Sequence, residues 1–291
     1  MKFGANTFIW ADHFGQEQIP LLEMIRRAGF DGIEIPLIDP EQTRDPKIAR
    51  AIEAHGLQCT VCSVLPAGLN AISADAEVRK RTLEHLRICI ETTAEMGSRI
   101  IAGPLYSPVG CFSGRRRSAD EWLRAVECFQ QLGPSLDEFG VTLALEPLNR
   151  YETYFLNTAA DAVRLCGEIS HPHVGILFDT YHANIEEKDV AMAIRDTGPH
   201  LRHFHSCEND RGIPGTGHID WPGVFRALRD VDYAGWLTIE SFGFSLGALS
   251  AAASIWRDLA PTAGDIAIEG LRFLRKMNEN RGDCPATMNP G

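Results

Sequence analysis

The sequence predicts an α/β protein folded as a (β/α)8 TIM barrel, and three observations predict it. Eight short apolar or β-branched runs recur along the 291 residues, separated by longer amphipathic stretches. A glycine stands at several of the joins where a helix ends and the next strand begins. The segments on the other side, after the strands, are longer. Such alternation implies a parallel sheet with crossover helices, and eight units close into a barrel whose strand-to-helix loops build the active face.

The elements follow in order. Strand one is 2–6, and the helical pattern 17–28 ends before Gly29. Strand two is 32–36, followed by a helix over 41–55 that ends before Gly56. Strand three is 58–64, and the helix 78–96 ends before Gly97. Strand four is 99–103. The loop 104–118 is the longest, and it carries Arg115-Arg116-Arg117. We read that triplet as a solvated loop leading to a helix N-cap at Ser118, in preference to a phosphate site. A helix over 119–139 ends before Gly140, and strand five is 141–146. Helix 158–168, strand six at 174–179, helix 188–195, strand seven at 201–205, helix 221–229 and strand eight at 236–241 complete the count. Helices at 246–259 and 265–277 close the chain. Glycine suits the position just past a helix because that residue takes positive φ. No linker or low-complexity tract intervenes, so 1–279 is expected to be one domain. Residues 280–291, with Asn, Gly and Pro, are expected to be a weakly ordered tail.

Composition narrows the function. Hydrophobic residues are 44% and charged residues 23%, which excludes a disordered chain or a coiled coil. The formal net charge of −11 opposes binding to nucleic acid. No apolar run reaches 18 residues, so no membrane span is expected. The first ten residues lack the apolar stretch and small-residue site of a secretory leader, and the expected location is the cytoplasm. The eight cysteines are then reduced thiols. Cys59-Thr-Val-Cys62 has CxxC spacing, but it lies in a strand. Residues three apart on a strand point to opposite faces, so the pair does not share a metal.

The polar residues at the strand ends carry the chemistry. Strands five, six, seven and eight each run through apolar residues into Glu146, Asp179, His205 and Glu240. A buried carboxylate is costly unless something compensates it. Four such groups at the C-terminal ends of successive barrel strands converge on the axis. Three oxygen donors and one nitrogen suit a divalent ion of harder character: Mn²⁺ or Mg²⁺, with Co²⁺ or Zn²⁺ as alternatives. The competing reading pairs these groups with Arg or Lys inside the barrel. Asn149, Arg150, Glu152, His182 and Arg211 follow close behind on the loops and could hydrogen-bond a polyhydroxylated substrate. His203 shares the face of His205 one layer deeper and reads as a core histidine. Glu34, near the end of strand two, is a candidate supporting acid.

These residues resemble the ketose 3-epimerases, the D-tagatose, D-psicose (D-allulose) and L-ribulose 3-epimerases of the wider xylose-isomerase-like barrels. The resemblance rests on Leu145-Glu-Pro-Leu-Asn-Arg-Tyr-Glu152, Phe178-Asp-Thr-Tyr-His-Ala-Asn-Ile-Glu-Glu187, His203-Phe-His205 with Glu208 and Arg211, and Ile239-Glu-Ser-Phe242. It covers nearly the whole chain, and the ligand intervals of 33, 26 and 35 residues look like the family's own. It implies that Glu146, Asp179, His205 and Glu240 are metal ligands, with Mn²⁺ foremost. It implies that Glu146 and Glu240 are also the acid/base pair. Glu152, His182 and Arg211 match residues that hold sugar hydroxyls near O1 to O3. A homodimer or homotetramer is implied as well. Cys207 stands where relatives often carry Gly or Leu, and Pro147 where Val is common.

Such chemistry would need these groups. Epimerising C3 of a ketose removes a proton beside the C2 carbonyl and returns it on the opposite face. The charge that develops on O2 needs a cation, and inversion needs an acid/base group on each face. Metal ligation would keep both glutamates ionised. Three alternatives use the same barrel: an aldose–ketose or hydroxypyruvate-type isomerase, a multi-metal phosphodiesterase, and a sugar-binding module without turnover. The charge and the ligand set oppose the phosphodiesterase, and the presence of both glutamates opposes the binding module.

Overall fold

The computed structural model describes residues 1–244 and 246–280. The expected tail, apart from Asn280, and Cys284 lie outside the described residues. Eight parallel strands close into a barrel in sequence order. They are β1 (Lys2–Asn6), β2 (Gly32–Pro36), β3 (Gln58–Cys62), β4 (Ile100–Gly103), β5 (Thr142–Leu145), β6 (Val174–Asp179), β7 (Leu201–His205) and β8 (Trp236–Ile239). Closure is by β1 against β8, with Phe3 beside Leu237.

The helices end where the sequence breaks them. Gly29, Gly56, Gly97 and Gly140 all have positive φ. At Gly140, φ 59° ends the helix Gly133–Phe139 and lets Val141 turn straight into β5. The two long helices read over 41–55 and 119–139 are each split. Asp45 caps a new helix, Pro46–Ala54, whose first residue is proline. Gly133-Pro134 likewise opens Gly133–Phe139 after Ala119–Gln130. Proline fits a helix's first turn but cannot continue one, so each split follows from a residue visible in the sequence. The pattern at 246–259 yields only Ala248–Ala252. A short helix missed by the sequence, Thr180–Glu186, is capped by Asp179 itself, which accepts from the Tyr181 amide at 2.6 Å.

Ser118 does cap its helix, in a reciprocal box with Glu121. Of the arginines before it, Arg115 and Arg116 are exposed, as a solvated loop requires, and Arg117 is half-buried. Arg117 grips Asp161 with bonds of 2.9 and 2.7 Å and lies over the Trp122 ring, and Arg115 grips Glu121. Arg117, with Arg115 at the solvent side, fastens the long loop to the helix layer.

Most of the core lies between strands and helices. Inside the barrel, Ala102, Ala144 and Leu177 form a small separate cluster. Small residues leave room there for a polar layer above them. Gly103 ends β4 at φ 138°, and a Cβ there would stand 2.1 Å from the Ser63 carbonyl oxygen. That close approach keeps β3 and β4 tight beneath the mouth. Among the described residues no helix is long and apolar enough to cross a membrane.

Candidate metal centre and sugar site

The strand ends meet as the sequence reading expects. Glu146, Asp179, His205 and Glu240 are buried, and one ligand atom from each lies within 4.8 Å of all the others. Parallel register explains part of this. Asp179 pairs with His205 across β6–β7, and His205 with Thr238 across β7–β8. Glu146 and Glu240 stand one residue beyond their strands, where the backbone is already turning onto the active face.

Beneath the four lies a row that the strands place side by side. Asn6, Glu34 and Thr60 are register neighbours on β1, β2 and β3. Glu34 is fully buried. Its Oε1 accepts from Asn6 Nδ2 at 3.0 Å and faces His205 Nε2 at 2.7 Å. Its Oε2 accepts from Thr60 Oγ1 at 2.9 Å and faces His203 Nε2 at 2.6 Å. Burial alone would raise its pKa, but His205 and His203 hold it well below the usual carboxylate range. Glu34 is therefore the supporting acid expected, and His203 is bound to it in the core.

Glu34, His203 and His205 could themselves be read as a metal cluster. The distances argue otherwise. Zinc-type bonds of about 2.0–2.2 Å would hold the donors about 2.9 Å apart or more. The donors here stand at 2.6 and 2.7 Å, the separation of charge-assisted hydrogen bonds.

With Nε2 committed to Glu34, His205 turns Nδ1 to the centre. Nδ1 lies 3.3 Å from Glu240 Oε2 and 3.7 Å from Asp179 Oδ2, yet makes no hydrogen bond. Glu146 Oε1 is also buried without a partner. The one guanidinium among these acids is Arg211. Its Nη1 donates to Asp179 Oδ2 at 2.8 Å and to Glu240 Oε2 at 2.7 Å. The ion-pair alternative is thus met in part: Arg211 pairs with two of the three carboxylates, and Glu146 Oε1 is left without a partner. Among the protein's own charges, burial and then Glu240 push Glu146 well above the usual carboxylate pKa. The expectation of two ionised glutamates is one for the ligated metal, and a divalent cation is what would bring Glu146 back to its ionised form. Burial would lower the His205 pKa, but Glu240 and Glu34 hold it well above the ordinary value. Two orphaned ligand atoms and uncompensated carboxylates fit a divalent ion.

The expected sugar-binding residues gather beside the centre. His182 is buried and accepts the Asn149 backbone amide on Nδ1 at 3.1 Å, so its Nε2 faces Glu146 Oε1, 3.6 Å away. Burial pushes its pKa down to about 3, so it is neutral. Asn149 Nδ2 also donates to Glu152 Oε1 at 2.8 Å, and burial raises the Glu152 pKa. Asn149 therefore positions two pocket residues. Arg150 turns away and pairs with Glu186 at 2.9 Å. The cavity above the centre, about 400 Å³, includes Glu152, His182 and Arg211 on one side and Phe8, Ile38 and Val64 on the other.

Glu208, part of the resemblance but assigned no role there, organises the loop after β7. It is buried and accepts from the amides of Asn209, Gly215 and Ile219 and from Trp221 Nε1. That loop holds Arg211 at φ 65°, unusual for a non-glycine residue, with Ser241 Oγ donating to its carbonyl at 2.6 Å. Cys62 and Cys59 diverge as expected. Cys62 lines the cavity and receives Asn6 Nδ2 at 3.3 Å, while Cys59 does not line it. Cys207 Sγ lies 3.0 Å from Arg211 Nη1, so this departure from the family touches the site directly.

Residues 22–277 match the family model described as "Xylose isomerase-like TIM barrel". The chain belongs to that family. Within it, the chain is 37% identical over 276 residues to a "Probable ketose 3-epimerase" of Synechocystis sp., covering 95% of this chain and 96% of the relative. It is 33% identical to a "Ketose 3-epimerase" of Arthrobacter globiformis, covering 94% and 96%. A solved structure of L-ribulose 3-epimerase superposes with a TM-score of 0.90 at 32% identity, over 96% of this chain and 95% of that one. This xylose isomerase-like barrel is therefore an enzyme of the isomerase class, a carbohydrate 3-epimerase, and the four residues of its centre could hold a divalent metal.

Proposed function

We propose that this enzyme is a divalent-metal-dependent 3-epimerase of free ketoses, of the D-tagatose, D-fructose, D-psicose or L-ribulose type. The observation that carries the reading is the convergence of Glu146, Asp179, His205 and Glu240 at the mouth, with ligand atoms of Glu146 and His205 unpartnered. These four would hold the ion, with Mn²⁺ the first choice for a set of three oxygens and one nitrogen. Bound there, it would supply positive charge where the enediolate develops on O2.

The protein's own groups do the rest. Glu146 on the β5 side and Glu240 on the β8 side are the proton donor and acceptor for C3, one removing the proton as the other returns it. Reversal of the reaction exchanges their roles. Glu152, neutral His182 and Arg211 bind the hydroxyls near O1 to O3. Tyr181, whose ring lies 4.2 Å from the Arg211 guanidinium, steadies that cation. The resemblance that assigns these roles also supports a single domain over 1–279 and a cytoplasmic homodimer or homotetramer.

The test is proton exchange. Protein stripped with chelator and restored with Mn²⁺ is incubated in D₂O with D-fructose, D-tagatose and L-ribulose separately. NMR is expected to show deuterium at C3 together with the C3 epimer. Deuterium at C1 with an aldose product would move the assignment to an aldose–ketose isomerase.

A further inference from the structure

The cavity over the centre adjoins a second one. The groups assigned to O1–O3 stand on the β5–β7 side of the mouth. A ketohexose held there directs C6 across the barrel, toward the loops after β1 and β2, which carry Phe8, Asp12 and Ile38. Asp12 and Ile38 also line a second cavity of about 660 Å³, larger than the first. Both residues are exposed, so they form a low ridge between the two spaces.

The second cavity differs in character. The first is walled at its far end by Phe8, Ile38 and Val64. The second presents His13, Gln16, Glu17, Thr43 and Asp45. His13 is clamped between Asp12 Oδ1 and Glu17 Oε1, both at 2.6 Å, and Gln16 donates to Asp45 Oδ2 at 2.7 Å. This network fixes the acceptors, and each carboxylate has more acceptor sites than those bonds use. A fixed array of carboxylate, amide and hydroxyl groups suits a ring of sugar hydroxyls. On the ridge, the Ile38 side chain suits the C–H face of the link between two sugars, and Asp12 can accept from a hydroxyl beside it.

We propose that the substrate class includes ketoses glycosylated on the C6 oxygen, with the ketose over the metal centre and the second sugar in the β1–β2 annex. This rests on the 3-epimerase reading above. The chemistry is unchanged: one glutamate takes the C3 proton, the other returns a proton to the opposite face, and the glycosidic bond stays intact.

The test uses the Mn²⁺-loaded full-length enzyme with D-fructose and with 6-O-α-D-glucopyranosyl-D-fructose in D₂O. The glycoside is expected to take deuterium at C3 and to give its C3 epimer, with kcat/KM within tenfold of that for D-fructose. The double variant H13A/E17A, at two residues that line the annex and not the first cavity, is expected to lose at least tenfold in kcat/KM on the glycoside and less than twofold on D-fructose. Turnover of D-fructose without turnover of the glycoside overturns the inference and leaves the epimerase reading intact. Equal loss on both substrates, or none on either, also overturns it, because the annex then does not hold the second sugar. No C3 exchange on any ketose removes the epimerase reading, and this inference with it.

Discussion

Replacing Glu34 with Gln tests whether the layer under the centre sets the chemistry of His205. The carboxylate accepts on both oxygens: from His205 Nε2 and Asn6 Nδ2 on Oε1, and from His203 Nε2 and Thr60 Oγ1 on Oε2. An amide of the same shape accepts on one side only. If its NH₂ takes the Oε2 position, His203 must move its proton to Nδ1, which is buried without a partner. An unsatisfied buried donor costs about 1–3 kcal/mol. If the NH₂ takes the Oε1 position, His205 must move its proton to Nδ1, the atom turned toward Glu240 and Asp179. The lone pair that would bind the ion is then lost, and Asn6 Nδ2 opposes a second donor. Either arrangement is penalised, and the second penalises metal binding directly. Loss of such a supporting partner weakens a metal site by about 10–100-fold. We expect E34Q to bind Mn²⁺ about 10–100-fold more weakly by calorimetry, and to unfold at a lower temperature even in chelator. Glu34→Asp, which keeps the charge but shortens the reach, is expected to fall between the two. An E34Q protein with Mn²⁺ affinity within twofold of the parent would refute the argument that Glu34 fixes the His205 tautomer.

Three further outcomes follow from the same geometry. Glu240→Gln should lower turnover by about 10²–10⁴-fold, the usual worth of a general acid/base group, while D-fructose binding measured by calorimetry is largely kept; retained turnover would sink the two-glutamate mechanism. The pH dependence has two limbs in metal-stripped protein. His205 is held above its ordinary pKa, so its contribution to stability is full below about 6.5 and is lost as pH rises through the folded value. Asp179, which burial would raise but Arg211 holds far below the ordinary value, contributes above about 3.9 and loses that contribution as pH falls. Mn²⁺ must displace the His205 proton, so its affinity should climb with pH, and a flat Mn²⁺ titration between pH 6 and 8 would contradict this. Glu208→Ala orphans four donors at once, so unfolding in urea should show a loss of roughly 3 kcal/mol or more, with KM for the ketose rising as Arg211 is released.

The parts of the fold that were legible are those with a local cause. Each strand after the first begins after a glycine or turn and runs through residues that fit a sheet buried on both faces. Even the two split helices were marked, because Pro46 and Gly133-Pro134 are breakers whatever surrounds them. The reading over 246–259 erred for the opposite reason: its apolar spacing suited a helix, but Gly247 and Ser254 take positive φ and leave only Ala248–Ala252. A hydrophobic pattern has no way to register that.

The site divides along the same line. Glu146, Asp179, His205 and Glu240 stood out because each ends an apolar run, and the barrel's symmetry turns that position in sequence into a position in space. Glu34 ends no such run: it lies inside β2, before Ile35 and Pro36. Its importance comes from register with Asn6 and Thr60, two strands that the sequence cannot align to the residue. Glu208 is further from reach, because its four partners span residues 209 to 221 and share no periodicity. The proposed ligand set is thus written into the strand ends, whereas the groups that fix its protonation and geometry are products of closure. Closure is also what places Asn6, from the first strand, within 3.4 Å of Glu240, from just past the last. One side chain then ties Glu240, the proposed acid/base residue, to the carboxylate that faces His205, and substitutions at β1 or β2 should be felt at a centre whose proposed ligands all come from β5 to β8.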